Sequence, residues 1–192
     1  MVALAKIPVR MSVEEFLNWD SGDFLNYELV DGEPRAMAPA KRTHGTLQTT
    51  LVWLITTHLR ERGSPCDVIT APGVIPRLFP DHNMRVPDLG VTCSPYHEEQ
   101  SAIPDPVLLI EILSPSNQAK TWTNVWAYTT IQSVREILVL RSDRIAAELL
   151  RRSSQGEWPE RPLALTEGDL ALESIGFRVP LAQLYARTRL AG

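Results

Sequence analysis

The stretch PVLLIEIL, residues 106–113, constrains the fold of this chain more than any other segment. Its nearly unbroken aliphatic character fits a strand covered on both faces, as in the centre of a sheet flanked by helices. One carboxylate, Glu111, interrupts the run. An ionised carboxylate is costly to bury alone, so Glu111 needs an arginine, a raised pKa or a bound cation.

The flanking segments predict the rest of a mixed α/β domain. In MSVEEFLNWD, Ser12 and Glu15 have the spacing of a capping box ahead of a short helix. NYELV and EPRAMA flank Asp31-Gly32, a strong hairpin signal. From Thr43 to Arg62 the apolar residues recur at helical spacing, and Gly63 follows as a stop. CDVIT, GVIPRL and DLGVT read as short strands before the central one. A second helix is expected from about Ala119 to Ile131, with Trp122 and Trp126 on one face and packed onto the sheet. REILVL and RIAAELLRR then form a hairpin through Ser142-Asp143, followed by two edge strands and a short helix starting at Pro180. The expected architecture is one domain over residues 1–192, with its core at about 12–185: a central mixed sheet flanked by helices, with an N-terminal hairpin.

Composition narrows the setting. No apolar run is long enough to span a membrane, and the N-terminus lacks a secretory apolar core, so a cytoplasmic protein is expected. Cys66 and Cys93 are too few for a disulfide framework, and the Cys93/His97 spacing lacks two further zinc ligands. A net charge of −4 gives no overall pull toward nucleic acid, although a local basic surface is compatible with it. Lysine is scarce, with Lys6, Lys41 and Lys120 against sixteen arginines.

Asp88, in VPDLGV, opens a strand introduced by Pro87. If that strand lies beside the one bearing Glu111, the two carboxylates converge and repel each other. A hard divalent cation relieves the repulsion and promotes phosphodiester hydrolysis.

These pieces carry a family resemblance. YELVDGEP, THGTLQTTL, VPDLGV, LLIEILSPSN and VWAYTTIQSVREILVL, in that order, resemble the Uma2 family, which has the PD-(D/E)XK restriction-endonuclease-like fold. The resemblance implies a Mg²⁺- or Mn²⁺-dependent endonuclease acting on DNA, with a homodimer as its assembly. Asp88 and Glu111 would be the metal-binding acids, Glu28 a further family acid, and His44 a contact to phosphate or water. Where the simplest family pattern has a lysine two residues after Glu111, this chain has Leu113. Many members supply the lysine from the following helix, at the place of Asn124 or Val125 here. Lys120 stands one turn earlier, about 6 Å along the helix, and is the candidate replacement.

Each residue has a structural alternative. Glu28 could pair with a hairpin arginine, Asp88 could be a turn residue, and His44 could be a surface residue at a helix start. The runner-up function keeps the fold without catalysis, as a nucleic-acid-binding or interaction module. A serine hydrolase using Ser114 or Ser116 is disfavoured, because neither has a glycine-flanked elbow and Pro115 removes a backbone donor.

Overall fold

The computed structural model describes residues 10–95 and 101–191. Helix α1 (Val13–Leu17) is capped as expected: the Ser12 hydroxyl accepts from the Glu15 amide at 3.1 Å, and Glu15 Oε2 accepts from the Ser12 amide at 2.7 Å. Strands β1 (Tyr27–Val30) and β2 (Glu33–Ala36) pair antiparallel around Asp31 and Gly32. Both turn residues have positive φ, 51° and 82°, which gives the backbone twist a tight hairpin requires. A Cβ on Gly32 would also lie 2.6 Å from Cβ of Arg10.

Helix α2 (Arg42–Glu61) buries Leu47, Leu51, Ile55 and Leu59 along one stripe, and Gly63 ends it in the left-handed region. A six-stranded sheet follows, made of β3 (Asp67–Thr70), β4 (Leu89–Thr92), β5 (Pro106–Leu113), β6 (Glu136–Arg141), β7 (Ala147–Arg151) and β8 (Leu163–Leu165) in that spatial order. Every neighbouring pair is antiparallel except β5 and β6. Parallel neighbours need a crossover, and helix α3 (Gln118–Tyr128) provides it. Strands β9 (Asp169–Leu172) and β10 (Phe177–Pro180) form a separate ribbon that leads into α4 (Leu181–Tyr185).

The alternation of side chains along β5 builds two cores. Leu108, Ile110 and Ile112 pack with the apolar stripe of α2 and with Leu184 of α4. Leu109 and Leu113 pack on the other face with Val125 and Tyr128 of α3. Glu111 has the parity of that second set and so points toward α3. Among the described residues no helix is long and apolar enough to cross a membrane.

Several expectations need correction. GVIPRL forms no strand: Pro76 has no amide to donate to a ladder, and pairing is limited to a bridge between Val74 and Arg85. Helix α3 stops at Tyr128 rather than Ile131, because the hydroxyls of Thr129 and Thr130 turn back onto the carbonyls of Trp126 and Ala127. The C-terminal part holds three strands rather than two, and only β8 is an edge of the main sheet. Trp126 is 46% exposed, because α3 buries the face carrying Thr121, Asn124, Val125 and Tyr128. Cys66 and Cys93, at the ends of the β3/β4 pair, form a disulfide that the sequence reading did not anticipate. His97 lies outside the described residues.

Candidate active site

The geometry begins with β4 and β5. Leu89 pairs with Ile110, so Asp88, one residue before it, lies across from Glu111. Asp88 is tied to both neighbouring elements. Its Oδ2 accepts the Ile112 amide at 2.6 Å, and its Oδ1 lies 2.8 Å from Nε2 of His44. Gln48, one turn further along α2, donates to the Asp88 carbonyl at 2.9 Å. His44 is therefore a partner of Asp88 with a mostly covered side chain, not a surface residue.

Glu111 is enclosed on the α3 side. Tyr128 donates its hydroxyl to Oε1 at 2.7 Å, while Oε2 makes no hydrogen bond to the described residues. Burial pushes the Glu111 carboxyl well above the usual carboxylate range. The Asp88 charge pushes it further, the Tyr128 hydrogen bond opposes the rise, Glu28 adds to it, and Lys120 opposes it. Tyr128 is itself held well above the usual phenol range, chiefly by burial, and so remains a neutral donor.

Glu28 enters from β1, which a backbone bridge between Leu29 and Met84 holds against the body. The hairpin turn is pinned by buried Asn83, whose amide donates to Asp31 Oδ1 and to the carbonyls of Leu78 and Phe79. The Glu28 side chain is 1% exposed and meets two residues of α3. Lys120 Nζ stands 2.8 Å from Oε1, an ion pair without the alignment of a hydrogen bond, and Asn124 donates to Oε2 at 3.0 Å. Lysine rather than a hairpin arginine is thus the direct partner. Arg85 is buried nearby; burial lowers its pKa, and the charges of Glu28 and Asp31 oppose that.

The structure gathers all five expected residues, Glu28, His44, Asp88, Glu111 and Lys120, around one end of β4 and β5. The sequence reading missed Gln48, and it missed the roles of Asn124 and Tyr128. A buried Tyr or Asn on the crossover helix was the only signal: such polar tips seek partners, and the central strand offers carboxylates.

Among the described residues no group of three His, Cys, Asp or Glu side chains forms a ready-made metal cluster. The donor set nevertheless fits a hard divalent cation. Asp88 and Glu111 supply oxygen ligands, Oε2 of Glu111 is free, and Glu28 is already balanced by Lys120. Magnesium is commonly held by one or two carboxylates, with water and phosphate completing its shell.

A mixed six-stranded sheet flanked by helices, with Asp88 and Glu111 across from each other on neighbouring strands, defines a mixed α/β fold. The chain belongs to the Uma2 family, described as "putative restriction endonuclease", whose model matches residues 13–182. Proteins with the restriction-endonuclease-like fold generally use divalent metals. An uncharacterized protein of Synechocystis sp. is 26% identical over 178 residues, covering 92% of each chain. The crystal structure of a putative nuclease belonging to DUF820 from Anabaena variabilis superposes with a TM-score of 0.73 at 17% identity. That superposition covers 92% of this chain and 98% of the other, and it shows the fold.

Proposed function

We propose that this protein is an endonuclease that hydrolyses DNA phosphodiester bonds with Mg²⁺ or Mn²⁺. The observation that carries the reading is the position of Lys120. Although Leu113 replaces the strand lysine, α3 delivers an ammonium to Glu28, within the electrostatic reach of Glu111.

In this reading Asp88 and Glu111 hold the cation. When bound, it supplies Lewis-acid stabilisation of the charge that develops on phosphate. Tyr128 and the Ile112 amide keep the two carboxylates aimed. Lys120, anchored by Glu28, orients the attacking water and offsets negative charge as its oxygen bonds to phosphorus and an ester oxygen departs. His44, fixed by Asp88, would contact a neighbouring phosphate oxygen. Cutting both strands of a duplex requires two such sites, which a homodimer would supply.

The test is cleavage of supercoiled plasmid with Mg²⁺ or Mn²⁺ by the wild type and by Asp88→Ala, Glu111→Ala and Lys120→Ala. The expected result is cleavage by the wild type and a loss of at least about a hundredfold in each variant. Equal cleavage by the acid variants would sink the assignment. The second reading, a nucleic-acid-binding or interaction module without catalysis, is favoured by Leu113 and by the net charge of −4. It predicts that the wild type binds DNA without cutting it.

A further inference from the structure

A groove of about 970 Å³ runs between α2 and α4, away from the core stripe of α2. Arg42, Thr46, Thr49 and Trp53 line it from successive turns of one α2 face, with Gln183 and Arg187 opposite. We propose that this groove binds a single-stranded or locally unpaired segment of nucleic acid. The binding is independent of the nuclease reading.

Four observations support it. Trp53 is 63% exposed, so its ring offers a free face on which a base can stack. Arg42 and Arg187 are exposed, and neither has a carboxylate partner among the described residues. Among the described residues no acidic side chain lines the groove, so none of them repels phosphate there despite the net charge of −4. Gly45, also in the lining, lies within the first turn of α2, where a Cβ would meet nothing within 4 Å. Glycine in a helix costs about 1 kcal/mol relative to alanine, and no intramolecular contact requires it here. A strand passing close to the backbone would require it.

The groove and the candidate active site lie on different faces of α2: His44 and Gln48 reach Asp88 from the side of the core stripe, and neither lines the groove. Gly45 directly follows His44, whose ring touches Asp88. Trp53 lies nine residues beyond His44 along α2, about 13 Å of helix rise. A second copy of the chain is a poorer occupant. A two-fold contact would set these arginines against the same arginines, with no lining acid to answer them.

The experiment measures anisotropy of a fluorescein-labelled oligothymidylate in EDTA, where cleavage does not intervene. Full-length wild type is compared with Trp53→Ala, Arg187→Ala, Gly45→Glu and the exposed-tryptophan control Trp126→Ala, with melting curves to confirm folding. Trp53→Ala and Gly45→Glu should each weaken binding about tenfold, and Trp126→Ala should bind as the wild type. Arg187→Ala should reduce the salt slope of log K by about 0.7. Wild-type affinity in both Trp53→Ala and Arg187→Ala overturns the proposal, as does a wild-type dimer that Trp53→Ala converts to monomer. If the wild type cuts plasmid while these variants bind unchanged, the groove assignment alone fails. If binding depends on Trp53 and Arg187 but no plasmid is cut, the groove stands and the nuclease reading falls.

Discussion

Glu28, Asp88 and Glu111 are three carboxylates brought close together, and each is held by a different kind of partner. Glu28 has an ammonium, Asp88 has an imidazole and a backbone amide, and Glu111 has only a phenol. The charge problem therefore concentrates on Glu111, whose carboxyl rises well above its ordinary value of 4.5. Without a cation, the folded protein keeps a proton on Glu111 that the unfolded chain releases. The folded state then binds more protons, so stability falls as pH rises from about 4.5 through the raised pKa, by up to about 1.4 kcal/mol per pH unit. In EDTA the melting temperature should fall as pH rises above about 4.5, and Glu111→Gln should flatten that decline. Mn²⁺ should raise the melting temperature more at higher pH, because the cation competes with the proton. A wild-type profile as flat as that of Glu111→Gln would contradict the charge assignment. Asp88 and Glu111 were legible in the sequence because a proline-led strand and an acid in an apolar run are local signals. The reach of Lys120 was not, since its offset of one helical turn from the expected position is closed by side-chain length and by where β1 sets Glu28. The link from Tyr128 to Glu111 depends on how α3 packs across β5, which no local pattern encodes.

At the scale of elements, β6 is secured to its surroundings by Glu136. This residue is 1% exposed and accepts from Arg151 Nε at 2.7 Å across the β6/β7 pair, and from the amides of Glu173 and Ser174 after β9. Removing one partner of a buried pair leaves an uncompensated charge, at a cost of roughly 3–5 kcal/mol when the pair is wholly enclosed. Arg151 is partly exposed, so Arg151→Ala should cost less, about 2 kcal/mol, as measured by urea unfolding. An unchanged midpoint would show that the two amides suffice for Glu136. The Cys66–Cys93 bond closes a loop over a sequence separation of 27 residues. Constraint of the unfolded chain by such a loop is worth about 3 kcal/mol. Cys66→Ser should lose about that much, and dithiothreitol should destabilise the wild type while leaving the variant unchanged. The strands that the cysteines flank were legible in the sequence, but their antiparallel register was not. Without that register, nothing in the spacing brings the two sulfurs together.

At the scale of the whole molecule, the pattern of apolar residues was enough to anticipate a mixed sheet between helices, because β5 is hydrophobic on both faces and α2 carries a clear core stripe. The separate β9/β10 ribbon was harder to foresee. Edge strands and a detached ribbon share the same short alternating pattern, and only packing beneath α2 and α4 decides between them. The negative net charge likewise concealed a groove with arginines on both walls and no acid between them. The parallel pairing of β5 and β6 has a further consequence for how the chain could be cut or rejoined. The crossover it demands is α3, and α3 carries Lys120, Asn124 and Tyr128. The segment that solves a connectivity problem is thus also a wall of the active site. Every grouped acid and its side-chain partners lie between Glu28 and Tyr128, and β6 to α4 contribute none of them. New chain ends placed after Arg151 would leave that constellation on one continuous piece. A break within α3 would divide it between two.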